Sequence, residues 1–207
     1  MSVIATPSGL IIAECSFGQA RYDQVELSDA TGHAAARIFG PPRWRVSIRS
    51  HQALPLAQAA IWDAMLLQLR GGINHLSFGD PVRKVPLGTM RGTLTLNGAH
   101  SAGAVSVSVT GGAGQASTTL KTGDWLQIGT GLGTSQLVKV MADATANGSG
   151  VIALTVEPPL RTAFSTGAAV TWNAPIGYFK QTSEPLWNYA PGRSAGGFAA
   201  DLLESWT

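Results

Sequence analysis

The chain has 207 residues, a net charge of +2 and only 13% charged residues, about half the usual ~25% of soluble domains. It is long enough for one large domain or two small ones, and its 25 glycines and 11 prolines imply neither collagen nor disorder. The single cysteine, Cys15, excludes an internal disulfide and a thiolate metal cluster, and no run of Lys or Arg marks a nucleic-acid tail or a polybasic membrane patch. With so few charges, hydroxyls and backbone must cover much of the surface. Such a surface suits contact with other protein, so the chain reads as an assembly component before it reads as an enzyme. The opening segment 1–7 has no basic stretch, and the apolar run 9–13 meets Glu14 at once. No signal peptide is expected, and nothing approaches the ~18 consecutive apolar residues of a membrane span.

In chain order, residues 13–17 and 22–27 read as strand fragments, and 28–32 as a turn. Residues 43–50 are the clearest strand. Trp44, Val46 and Ile48 fall on one face, and Arg43, Arg45, Ser47 and Arg49 on the other. Residues 55–70 read as a helix, with Pro55 at the first helical position and Gly71 and Gly72 as the stop. Its apolar side chains run nearly all round. Leu56, Ala60, Ala64 and Leu67 form one side, and Trp62, Met65, Leu66 and Leu69 the other. A helix of this kind is buried on more than one side: one side against a sheet, the other under a neighbouring subunit or under loops of the same chain.

Residues 74–78 form a short strand stopped by Gly79, Asp80 and Pro81. From 88 to 173 the texture changes to Gly, Ala, Ser, Thr and Val in short alternating runs. Candidate strands are 92–96, 104–109, 125–128, 137–140, 151–156 and 169–172, set off by turn signals. This spacing suggests a small closed barrel or sandwich. After 174 the earlier, aromatic-rich texture returns. In the last run Phe198, Leu202 and Trp206 share an i,i+4 face, so the segment reads locally as a short helix as easily as a strand. The likeness of the two flanks suggests one discontinuous domain, 1–87 and 174–207, interrupted by an insert, 88–173.

Candidate chemistry is thin. His33, His51, His75 and His100 show no i,i+4 spacing and no carboxylate pair, whereas zinc needs three or four convergent ligands. Cys15 reads as a small buried hydrophobe. The glycine-rich run 129–135 lacks the Gly-Lys-Ser/Thr ending and a following helix, so it reads as a loop rather than a phosphate cradle. Residues 191–197 read as a turn or clamp loop. No Gly-x-Ser-x-Gly elbow and no defined acid/base pair is present. No catalytic residue, metal or cofactor is expected. In the insert, Trp125 and Trp172 are candidates to stack on a sugar ring, set against a plain barrel-core role. Trp44, Trp62, Leu66, Leu69 and Trp206 are candidates for the core or for a subunit interface.

The order of elements resembles a known family. An arginine-flanked Trp strand (44–48) leads into one long apolar helix through Leu69. The insert carries Lys121, Thr122, Gly123 and Asp124 before an apolar strand, then 151–160 with its Pro before Leu. The chain closes on Leu202, Leu203, Glu204 and Ser205. This is similar to the distal tail protein of siphophages that infect Gram-negative bacteria. The resemblance covers nearly the whole chain as architecture plus short motifs. Residues 100–119 and 185–197 match no motif of that family.

The resemblance implies a mainly β protein: a β-sandwich-like domain with one long helix, interrupted by a small OB-like barrel. It also implies that the last segment is a strand. By resemblance the function is structural and non-enzymatic. Six copies form a ring that joins the tail tube protein to the baseplate hub or tip-fibre protein, and DNA passes through the lumen without specific binding. No membrane is involved, and the protein resides at the phage tail tip after assembly in the host cytoplasm. The alternatives are a carbohydrate-binding attachment module built on Trp125 and Trp172, or another tail ring protein such as a tube or terminator subunit.

Overall fold

The computed structural model of the chain describes residues 1–27, 29, 32–184, 188–190 and 194–207. The elements run β1 (Val3–Ala5), β2 (Glu14–Leu27), β3 (Ala34–Arg49), α1 (Leu56–Leu69), β4 (His75–Phe78), β5 (Leu94–Leu96), β6 (Ser106–Thr110), β7 (Thr119–Leu120) and β8 (Trp125–Ile128). They continue with β9 (Gln136–Val140), β10 (Ala144–Thr145), β11 (Val151–Glu157), β12 (Ala169–Thr171), β13 (Gly177–Gln181), β14 (Asn188–Ala190), β15 (Ser194–Gly196) and β16 (Ala199–Glu204). The protein is mainly β, with one α-helix among the described residues.

A six-stranded sheet has the order β1-β4-β13-β16-β3-β2. Its strands come from both ends of the chain. β1 runs parallel to β4, and the other pairings are antiparallel. The alternation in β3 decides which face is covered: Trp44, Val46 and Ile48 point inward, and their neighbours point out. Against this face lies α1 through Ala59, Trp62, Met65, Leu66 and Leu69. Met65, Leu66 and Leu69 each contribute about 1.5–3 kcal/mol on burial. The helix begins at Leu56. Pro55 stands one residue earlier than expected, at the N-cap, with an extended ψ of 145°. Arg70 ends the helix in the left-handed region, at φ 49°.

The last run is a strand, contrary to its local helical spacing. β16 lies between β13 and β3 and exchanges backbone hydrogen bonds with both. The two flanking strands supply the backbone hydrogen bonds that a helix would otherwise make internally. The turn read at 28–32 lies largely outside the described residues, as does the first part of the loop at 191–197; of the latter, 194–196 form β15, paired with β14.

The barrel closes in the order β11-β6-β5-β12-β8-β9. All six runs expected as strands between 92 and 172 are barrel strands, with ends shifted by at most two residues. The successive barrel strands β8, β9, β11 and β12 lie in the spatial order β12-β8-β9-β11, which is a Greek key; β10 pairs with β7 outside the barrel. Small β-branched and Leu side chains fill the interior, among them Val107, Val109, Leu126, Val138, Ile152 and Leu154.

Asp124 explains the Lys-Thr-Gly-Asp turn. Its buried carboxylate accepts N–H bonds from Lys121 at 2.7 Å, from Leu87 at 2.7 Å and from Gly88 at 3.2 Å. It therefore closes its own turn and pins the segment that leads from the sheet into the barrel. Gly88 is required there, because a Cβ would fall on the carbonyl oxygen of Thr119. The return segment is held in turn by the Ala174 N–H, which donates to the Lys84 carbonyl at 2.6 Å. Asp124→Ala strands up to three N–H donors and is expected to cost about 2–4 kcal/mol in chemical denaturation. Asp143→Ala, on the exposed Lys121 pair of the same turn, is expected to leave the midpoint nearly unchanged.

Candidate interaction surface

The hairpin of β2 and β3 is much longer than the sheet it starts from. The two strands pair from Glu14 with Arg49 out to Leu27 with Ala34. β16 borders β3 only from Arg49 to Arg45. Beyond that point the hairpin runs on as a two-stranded arm of roughly 30 Å, at ~3.3 Å per residue. Its base is irregular, with register shifts on either side of Tyr22. Pro41 and Pro42 lie across from this point and have no N–H to offer the ladder.

The arm carries apolar side chains into solvent. Val25, Leu27 and Ile38 share one face, and Phe39 follows at the irregularity; Leu27, Ile38 and Phe39 are each about 70% exposed. A two-stranded ribbon is marginal in water by itself, and a free edge with apolar side chains invites another chain. The charges Arg21, Asp23, Glu26 and Arg37 are spaced among them, and Arg21 and Asp23 pair at 3.0 Å.

A second uncovered surface lies on α1. The side made of Leu56, Ala60, Ala64 and Leu67 faces solvent, with Leu56 68% and Leu67 59% exposed. The described part of the chain therefore does not bury the second side of the helix.

Between arm, sheet and barrel lies a junction. Trp44 donates its indole N–H to the Leu137 carbonyl at 2.8 Å and meets the Trp125 ring edge-on at 4.8 Å. Trp125 donates its own N–H to Asp80 at 3.0 Å. Burial alone would raise the Asp80 carboxyl, but N–H bonds from Arg83, Val82 and Trp125 hold it below its ordinary range. A cleft of about 380 Å³ opens beside the arm base, lined by Tyr22, Ile38, Pro41, Pro42, Pro159 and Leu160 among others.

The junction relocates several candidate residues. Trp125 is 2% exposed and belongs to the core between sheet and helix, not to the barrel interior. With Phe17 and Trp44 on it and the Lys139 ammonium 4.8 Å above the ring, it presents no face for a sugar. Trp172 is half-buried at the barrel rim. Its N–H donates to the Gly92 carbonyl at 2.7 Å, and Arg91 lies over its ring at 5.0 Å. Trp44, Trp62, Leu66 and Leu69 are all core residues. Trp206 is half-buried at the junction, between the guanidinium groups of Arg43 at 4.5 Å and Arg161 at 4.3 Å.

Among the described residues no group of three His, Cys, Asp or Glu side chains is placed to hold a metal ion. The Cys15 thiol is pushed up to about 11 by burial and by the charge of Asp80, so it is protonated and weakly nucleophilic near neutrality. Sequence reasoning missed two features here. Of the arm, only residues 22–27 read as a strand fragment, and 34–42 carry no strand signal because Ala34, Ala35 and Ala36 do not alternate and Pro41 and Pro42 interrupt the run. Glu204 was read only as part of a motif, although it occupies an inward position in the alternation Ala200, Leu202, Glu204. No protein-family model matches the chain, and no curated protein matches it either.

The division between uncovered and core residues is directly testable. The double variant Ile38→Asp, Phe39→Asp is expected to change the stability of the free chain by no more than ~0.5 kcal/mol. Trp62→Ala, at the centre of the core, is expected to cost about 3–5 kcal/mol. Urea titrations of the three proteins followed by circular dichroism check both.

Proposed function

We propose that the protein is a structural subunit of a phage tail tip, a distal tail protein whose six copies form a ring between the tail tube and the baseplate hub or tip fibre. The observation that carries this reading is the arm: a projecting ribbon whose apolar side chains nothing among the described residues covers. The exposed side of α1 and the low charge content support it further. A soluble monomer has little use for two such surfaces, whereas a subunit in a closed ring covers both.

In this reading residues 1–87 and 174–207 make the β-sandwich-like ring domain, with α1 acting as the second layer. Residues 88–173 make the OB-like insert, which projects outward. The Greek-key order supports the OB-like assignment; the sixth strand is a departure from the five-stranded scheme. The activity is mechanical rather than chemical: the ring transmits the tube end to the parts below it and lets DNA pass. The particle is the site of function, and the host cytoplasm is the site of assembly.

Native mass spectrometry with negative-stain imaging tests the reading, on the protein alone and with purified tail tube protein. The expected result is an open ring of six copies of the 21.5 kDa chain, about 129 kDa. The arm variant Ile38→Asp, Phe39→Asp is expected to remain monomeric. A wild-type chain that stays monomeric at high concentration, with and without tube protein, overturns the proposal.

A further inference from the structure

The inner end of β16 carries a carboxylate in an apolar place. Glu204 is buried, opposite Trp44 in the neighbouring strand, and accepts the Trp44 backbone N–H at 3.0 Å. The same Trp44 reaches the barrel through its indole N–H and Leu137. On the barrel side, Arg161 is fixed by the carbonyls of Gly133 at 3.1 Å and Ser135 at 2.9 Å, and its own N–H donates to Gln136 at 2.7 Å. On the sheet side, Arg43 adjoins Trp44. Both guanidinium groups lie over the indole of Trp206, two residues beyond Glu204.

Neither arginine pairs directly with the carboxylate. The ion pairs among the described residues are Arg21–Asp23, Arg83–Asp80 and Lys121–Asp143. The Nε atoms of Arg43 and Arg161 are buried without a hydrogen-bond partner. Among the described residues, the charged groups that reach Glu204 are these two alone; Phe179, its cross-strand neighbour in β13, and Leu137 carry no charge.

We propose that Glu204 is a proton-controlled latch between sheet and barrel: protonated, it leaves Arg43 and Arg161 stacked on Trp206 and the barrel seated; ionised, it draws the two guanidinium groups from the indole and loosens the seat. Burial raises its carboxyl from 4.5 to about 7, with the Trp44 backbone N–H, the Trp206 indole N–H and the charges of Arg161 and Arg43 limiting the rise. The sign follows. Because the folded state favours the proton, the contribution of Glu204 to stability is complete below about 4.5 and is lost as pH rises through about 7. His75, buried on the opposite sheet face, is lowered by burial and by Lys180. Its contribution has the opposite sign: it is present above its ordinary value and lost as pH falls. The inference stands on the single chain and is independent of ring formation.

The test compares wild type with Glu204→Gln from pH 5 to pH 9, by indole and amide NMR signals and by thermal unfolding. In the wild type the Trp44 and Trp206 indole signals are expected to shift with one midpoint near 7, and in Glu204→Gln to stay flat. The unfolding constant of wild type relative to Glu204→Gln should rise by up to about two orders of magnitude between pH 5 and pH 9. His75 is common to both proteins and cancels in that ratio. Wild-type indole signals that are flat across neutrality overturn the latch even if the variant does not fold. A midpoint that persists in Glu204→Gln assigns the titration to another group and also overturns it.

Discussion

The indole of Trp44 joins three parts of the chain. Its N–H is bound by the barrel at Leu137, its ring meets Trp125 edge-on, and its backbone N–H holds Glu204 in the closing strand. A buried indole N–H needs a partner, and one left unpaired costs about 1–3 kcal/mol. The barrel supplies that partner. Lifting the barrel away would strand the Trp44 N–H, break the Trp125 bond to Asp80, and expose two tryptophans together. Two linkers hold the barrel close, so few configurations are lost in seating it. The barrel is therefore seated by polar bonds inside an apolar contact, which fixes its angle as well as its position.

The barrel was the most legible part of the chain, for a physical reason. Short strands with one face in a small interior show period-2 alternation, and tight turns show Gly and Asn-Gly signals; both are local. The strand around Trp44 was legible in the same way. The final strand was not. Phe198 and Leu202 are four residues apart, which puts them on one face of a helix and also on one face of a strand. Only the pairing partners decide between the two, and they lie far away in sequence. Trp125 was misplaced because β8 is buried on both faces. Where both faces are covered, alternation carries no information about which core a side chain enters.

The arm escaped the sequence for a related reason. Gly40, Pro41 and Pro42 interrupt any strand pattern, since proline removes a ladder donor. The break is absorbed as a local register shift beside Tyr22, and the strand continues. Whether a proline ends a strand or only disturbs it depends on the opposite strand. The cluster around Glu204 was equally out of reach, because Arg43, Arg161 and Trp206 come together only once the barrel is seated. The one local hint was a carboxylate on an inward position of an alternating strand, a placement that burial makes costly unless something nearby holds it.

Arm, barrel and sheet meet within a few residues of one another, and this has a mechanical consequence. β3 leaves the sheet at Arg45, and the next two residues outward along the arm are Trp44 and Arg43. Trp44 holds the barrel and Arg43 stacks on Trp206. Tyr22, at the irregular base of the arm, lies within 5.8 Å of the same Arg43. A rotation of the arm cannot be absorbed before it reaches these contacts, because the base is a paired ribbon rather than a flexible loop. Stress on the arm is thus carried into the seat of the barrel through two adjacent residues. The exposed side of α1 stands apart, since its opposite face is locked into the core by Trp62 and Leu66. The molecule accordingly has one uncovered surface coupled to its internal junction and one that is rigid.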